Sequence, residues 1–145
     1  MERILELERF LPYRLHHLAD LVSRDFAQVY KDRLGLTRPG WRVLAGLGQN
    51  GTMTATALGA QSAMHKTKVS RAVAELERRR WLARTPDEND RRVEHLTLTK
   101  AGLAAYREMV PLARAFEAEL LHRLHASERA AIDTALKALE KKLTV

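Results

Sequence analysis

The sequence predicts a mainly α-helical fold, a winged helix-turn-helix with a two-stranded wing and N- and C-terminal dimerisation helices. Three observations lead there. Apolar residues recur at three- and four-residue spacing over most of the chain. A short helix, a tight turn and a basic helix stand in tandem between Thr54 and Arg78. A strand-turn-strand pattern with a charged tip follows at once, over Trp81–Leu98.

The chain has 145 residues, enough for one domain with a real core. A single domain over 1–145 is expected, with residues 1–34 and 100–145 as dimerisation helices and 36–99 as the central lobe. No apolar run approaches the roughly 18–20 residues of a membrane span, so no membrane partner is expected. Met1–Glu6 lacks the basic-then-apolar layout of a signal peptide. There is no cysteine, which excludes a disulfide framework, a thiol redox sensor and a Cys-based zinc site. A cytoplasmic location is the natural expectation. The net charge is +7, an excess that favours an anionic partner through long-range attraction and counterion release.

The elements follow in order. Glu2–Arg9 mixes charge with leucine and reads as a helix or an arm. Pro12 suits a first helical turn, where its missing N–H costs nothing. Leu15, Leu18, Ala19, Val22, Phe26, Val29 and Tyr30 then mark an amphipathic helix to Leu34, with Gly35 as its stop. Thr37 is the expected N-cap of a second helix carrying Trp41, Val43, Leu44 and Leu47. Gln49-Asn50-Gly51 breaks it, and Thr52 or Thr54 caps a short third helix. Gln61-Ser62-Ala63 turns into the basic helix. Trp81–Thr85 and Arg92–Leu98 read as strands around a Pro86–Asp90 tip. Thr99 is the expected cap of a helix from Lys100 to about His122, kinked at Pro111. Ser127 is the expected cap of the last helix, with Ile132, Leu136, Leu139 and Leu143 on one stripe.

The basic helix carries the most information. Val69, Ala72, Val73 and Leu76 fall on one face at 100° per residue. Thr67, Arg71, Ala74 and Arg78 point the other way, flanked by Lys68 and Ser70. That outward face is short, polar and basic, and can approach base edges in a major groove. A solvated helix face, the plainer alternative, usually mixes long Glu and Lys. The apolar stripes of the first and last helices exceed what the central lobe can cover. A second copy of the chain would bury the remainder and duplicate the reading helix.

These residues resemble the MarR family of bacterial transcription regulators. Leu36–Leu44 is similar to the family's second helix and Met64–Leu76 to its recognition helix. Asp90-Arg91-Arg92, with Leu98-Thr99 and Gly102, resembles its wing signature, although Leu96-Thr97 leaves the register of that junction open by one step. The resemblance covers almost the whole chain. It implies a homodimer that binds double-stranded DNA at a pseudo-palindromic operator, usually as a repressor released by a small molecule. Carried over by position, Thr67, Lys68, Ser70 and Arg71 would face the major groove. Arg92 would enter the minor groove, with Asp90 ordering the wing. Lys66 and Arg78 would meet phosphates. Arg92 also reads as a loop cation paired to Asp87, Glu88 or Asp90, and both roles can hold together. Arg80 stands where the family usually has glycine. It either takes a left-handed conformation at a cost of about 1 kcal/mol or extends the helix by one residue.

A narrower likeness lies in Leu11–His16, His65–Arg71 and Val110–Ala113. These resemble the branch controlling aromatic acid degradation, which implies a hydroxycinnamate or another aromatic acid, or its coenzyme A thioester, as effector. Arg14, His16 and His17 are candidates for a ligand pocket or for the dimer interface, and Trp41 for core or pocket wall. His122 and His125, with Glu119 or Glu128, are too sparse a set to assign a metal. No cofactor is expected. No phosphate-cradling glycine loop, carboxylate pair or Ser-His grouping marks an enzyme. Two other readings remain open: a non-specific architectural DNA-binding protein, and a small-molecule or metal-sensing helical dimer.

Overall fold

The computed structural model describes residues 3–144. Its element order is a 3-10 turn at Leu7–Arg9, α1 (Leu11–Leu34), α2 (Arg38–Asn50), β1 (Met53–Thr54), α3 (Ala55–Ser62), α4 (Lys66–Arg78), β2 (Leu82–Pro86), β3 (Glu94–Leu98), α5 (Lys100–His122) and α6 (Ala126–Leu143). The chain falls into two compact units, one running to Val110 and the other beginning at Pro111. The segment read as an arm or helix forms only the 3-10 turn, and its first residue, Glu2, lies outside the described residues.

The core of the first unit is one cluster. Tyr30, Leu34 and Leu36 enter it from the end of α1, Val43, Leu44 and Leu47 from α2, and Leu58 from α3. Val69, Ala72, Val73 and Leu76 come from α4, Leu82 and Leu96 from the wing, and Ala105 and Met109 from α5. The four apolar positions of α4 are thus the ones buried, and each larger side chain contributes about 1.5–3 kcal/mol by leaving water. The first half of α1 does the opposite. Leu11, Tyr13, Leu15, Leu18 and Leu21 are 40–51% exposed, a stripe with no partner among the described residues of this unit.

The helix ends follow side-chain chemistry. Thr37 Oγ1 accepts the N–H of Gly40 at 3.2 Å, and Thr54, of the two candidates, accepts that of Ala57 at 3.1 Å. Thr52 instead shares a hydrogen bond with Thr97 at 2.8 Å. Gly35 closes α1 at φ 63°. The basic helix begins at Lys66, two residues later than its sequence suggests. Ala63 turns left-handed at φ 51°, and His65 Nδ1 accepts the Thr67 N–H at 3.3 Å.

The wing hairpin pairs Leu82 with Leu98 through Pro86 with Glu94. A third strand that the sequence did not announce, β1, pairs Met53 with Leu96 and Thr54 with His95, giving the antiparallel order β1-β3-β2. β2 is therefore an edge strand, where Pro86 leaves no ladder bond unmade. Arg92, read as the start of a strand, lies in the turn.

Arg80 takes the strained alternative, with φ 60°. The α4 end is a Schellman turn: Trp81 N–H donates to Leu76 O at 2.9 Å and Arg80 N–H to Glu77 O at 2.9 Å. An arginine in that position carries a steric cost that glycine avoids. Arg80→Gly should raise stability by about 0.5–1 kcal/mol, the relief less glycine's larger unfolded entropy. Urea unfolding checks this as a higher midpoint at unchanged slope.

In the second unit, α5 continues through Pro111 without a break to His122. α6 starts at Ala126, not after Ser127. The N–H of His125 donates to the Glu128 carboxylate at 2.8 Å, which moves the cap two residues forward. Arg129 Nη1 ties the turn by donating to Leu121 O at 3.2 Å and Leu124 O at 3.1 Å. α6 buries no residue, and Ile132 and Leu136 are 38% and 43% exposed. No described helix is long and apolar enough to cross a membrane.

Candidate nucleic-acid interface

Burial of Val69, Ala72, Val73 and Leu76 turns the opposite face of α4 to solvent. Lys66, Thr67, Lys68, Ser70, Arg71 and Arg78 are all exposed. None of Lys66, Lys68, Arg71 or Arg78 takes part in an ion pair among the described residues. Three other cations of the lobe are engaged. Arg79 is bound to Glu75, Arg84 to Glu77 and Glu94, and Arg92 to Asp90. Four open cations thus share the outward face of one helix, while Arg38, Arg80 and Arg91 of the same lobe are exposed outside any ion pair elsewhere. A phosphate backbone is the anion such a face suits.

The wing tip is built by two aspartates. Asp87 accepts from the N–H groups of Asn89 and Asp90, each at 3.0 Å, and shares a 2.8 Å hydrogen bond with His95 Nε2. His95 first, and then those two N–H groups, hold the Asp87 carboxyl below the usual carboxylate range. Asp90 Oδ1 accepts the Arg92 N–H at 3.0 Å and Arg92 Nε at 3.2 Å. The Arg92 side chain still stands 92% exposed, so it is aimed by Asp90 and open to solvent at once. Asp87 entered the sequence reading only as one possible partner of Arg92, which pairs instead with Asp90. The signal for Asp87 was present: an aspartate two residues before an Asn-Asp pair is an Asx turn.

Arg84 joins the wing to α4. Its Nε donates to Glu77 Oε2 at 3.0 Å and its Nη1 to Glu94 Oε2 at 3.1 Å. At the strand-to-helix junction, Thr99 Oγ1 donates to Arg80 O at 2.7 Å and accepts from Gly102 N–H at 3.1 Å. The register left open between the two Leu-Thr pairs is therefore the later one, Leu98-Thr99.

The ligand candidates separate. Arg14 and His17 line an open hollow of about 470 Å³ with Glu8, Leu11, Tyr13, Leu15 and Leu18. The rings of Tyr13 and His17 lie parallel there, 6.0 Å apart. His16 is exposed and outside the residues lining that hollow. Trp41 packs edge-on to Phe26 at 4.9 Å and stacks on Tyr30 at 5.8 Å. Phe26 is twelve residues from Arg14 along α1, roughly 18 Å at 1.5 Å per residue. Trp41 thus packs against the core, and the structure does not bring it to Arg14 and His17.

A helix-turn-helix whose second helix presents open cations, followed by an arginine-tipped wing, defines a winged helix DNA-binding protein. A MarR family sequence profile matches residues 34–93. A MarR family transcriptional regulator from Silicibacter pomeroyi is 30% identical, with 97% of this chain and 99% of that one covered at a TM-score of 0.84. The BpsR regulator of Bordetella bronchiseptica, whose DNA binding is regulated by 6-hydroxynicotinic acid, is 26% identical, with 95% and 98% covered at 0.81. The PcaV regulator of Streptomyces coelicolor, solved with its natural ligand, shares the fold at 20% identity, 97% and 98% covered, and a TM-score of 0.76. No curated protein sequence matches the chain. The chain belongs to the MarR family: it is a DNA-binding transcription regulator and not an enzyme.

Proposed function

We propose that this protein is a homodimeric, ligand-responsive repressor that binds a pseudo-palindromic operator in the cytoplasm. In this reading residues 1–34 and 100–145 form the dimerisation helices of one MarR-like domain, and 36–99 its DNA-binding lobe. Thr67, Lys68, Ser70 and Arg71 face the major groove. Lys66 and Arg78 meet phosphates, and Arg92, aimed by Asp90, enters the minor groove. The observation that carries this is the placement of open charge: Lys66, Lys68, Arg71 and Arg78 are exposed and unpaired on one helix, while Arg79, Arg84 and Arg92 are held. The exposed stripes of α1 and α6 support the second copy.

The effector we propose is a small aromatic acid or its coenzyme A thioester, which releases the operator. Two observations favour that class. The hollow beside Tyr13 and His17 offers aromatic surface with one guanidinium, Arg14, to meet a carboxylate. The similar BpsR regulator responds to 6-hydroxynicotinic acid, an aromatic acid.

Selection from a random duplex pool, followed by competition against random duplex at fixed salt, tests the DNA reading. A palindromic site with half-sites roughly 10 bp apart is expected. Equal binding of both duplexes with steep salt dependence would instead make the protein architectural. For the effector, a thermal-shift screen of aromatic acids and their thioesters should find one that adds about 2.7 kcal/mol at 100 times its dissociation constant. Arg14→Ala should remove that shift.

A further inference from the structure

We infer that Arg79 is the positioning residue that sets the reading helix α4 on the end of α1; this rests on the DNA-reading role proposed above. Arg79 stands between Arg78 and Arg80 in a run of three arginines, and it alone of the three turns inward. Its Nη1 donates to Leu34 O at 2.6 Å and its Nη2 to Gly35 O. These carbonyls lie at the C-terminus of α1, where the helix dipole attracts a cation. Nη2 also bonds Glu75 Oε1 at 3.3 Å. Glu75 Oε2 accepts Thr37 Oγ1 at 3.2 Å, and that same hydroxyl caps α2. The guanidinium carbon lies 5.0 Å from the centre of the Trp81 ring, where the wing begins. One side chain therefore touches the end of α1 and the start of the wing, and through Glu75 reaches the start of α2.

The rest of the α4 attachment is apolar. Burial of Val69, Ala72, Val73 and Leu76 holds the helix down, but the force that drives such burial is non-directional. The planar fork on two backbone carbonyls is directional, and a lysine cannot reproduce it. Since α1 carries the stripe proposed to meet the second copy, Arg79 also ties the reading helix to the element that spaces the two copies.

The test uses the full chain and two duplexes, one selected by the wild type from a random pool and one of random sequence. Arg79→Lys keeps the charge and loses the fork. Arg79→Met removes both, and Glu75→Gln loosens the Arg79 side chain without touching it. The readout is the ratio of affinities for the two duplexes. Loss of folded protein lowers both affinities and leaves this ratio unmoved, so a merely structural role would not change it. For Arg79→Lys the ratio should fall about tenfold or more, the size expected when one base is no longer read, with random-duplex affinity kept within about threefold. Glu75→Gln should lower the ratio by about threefold. Should Arg79→Met fail to fold, the other two variants decide. Wild-type ratios in folded Arg79→Lys and Glu75→Gln would overturn the inference while leaving the DNA reading intact, provided Arg71→Ala lowers the ratio. A wild type that prefers neither duplex would overturn both.

Discussion

Arg71→Ala should bind the selected duplex roughly 10- to 100-fold more weakly per reading helix, and most of that loss should be loss of sequence preference. Arg71 sits in the middle of the outward face of α4, beside the small Ala74, and carries no intramolecular ion pair that its removal would disturb. Its truncation therefore reports on DNA and little else. Arg92→Ala should behave differently. An arginine drawn into a narrow minor groove responds to groove width and potential, so affinity falls with a smaller change in preference. Gel-shift titrations of both variants at fixed salt separate the two roles. Lys66→Ala and Arg78→Ala should each lower the salt slope by about one per protomer, hence about two for the dimer, the signature of one phosphate left unneutralised at each half-site. Full affinity and selectivity in both Arg71→Ala and Arg92→Ala would sink the assignment of these residues.

The second large effect is on stability. Gly102→Ala should cost roughly 3 kcal/mol or more, a large part of an ordinary domain's total. A Cβ at Gly102 would lie 2.0 Å from the carbonyl oxygen of Trp81. That oxygen accepts the Thr99 N–H at 2.9 Å, so the clash falls on the bond that closes the base of the β2-β3 hairpin, beside the first turn of α5. Backbone on both sides leaves no side chain to swing away. Gly48→Ala is the useful contrast. There the added Cβ would meet the Tyr106 ring at 2.3 Å, an equally severe overlap with a side chain that can rotate. Urea unfolding should place Gly102→Ala clearly below Gly48→Ala. Equal midpoints would mean that the junction relaxes more freely than its geometry implies.

Much of the fold was legible because the signals are local. Thr37, Thr54 and Thr99 cap the helices their positions suggested, and Gly35 ends α1, since a cap needs only neighbours three residues away. The inward face of α4 followed from helical period alone. β1 was not legible. Two residues show no periodicity, and their strand character exists only through pairing with Leu96 and His95 some forty residues on. The α6 cap was misplaced because serine is the stronger statistical cap, while the Glu128 carboxylate selects His125 by reaching back to its N–H.

The candidate site divides the same way. Asp90 and Arg92 were visible as a motif, but the contribution of Asp87 depends on a histidine eight residues away across the hairpin. The triple Arg78-Arg79-Arg80 shows the limit most clearly. In sequence it is one basic run. In the structure Arg78 is open to solvent, Arg79 is folded back onto α1, and Arg80 bears a left-handed backbone at φ 60°. Sequence by itself determined the helical periods, the caps, the basic face of α4 and the charged wing tip, because each depends on residues within a turn or two of one another. Only the tertiary structure decided which cations are open and which are held, how α4 is joined to α1, and that Trp41 lies apart from Arg14 and His17. Those outcomes depend on what packing brings within about 3 Å, and proximity across the fold leaves no mark on the spacing of a linear chain.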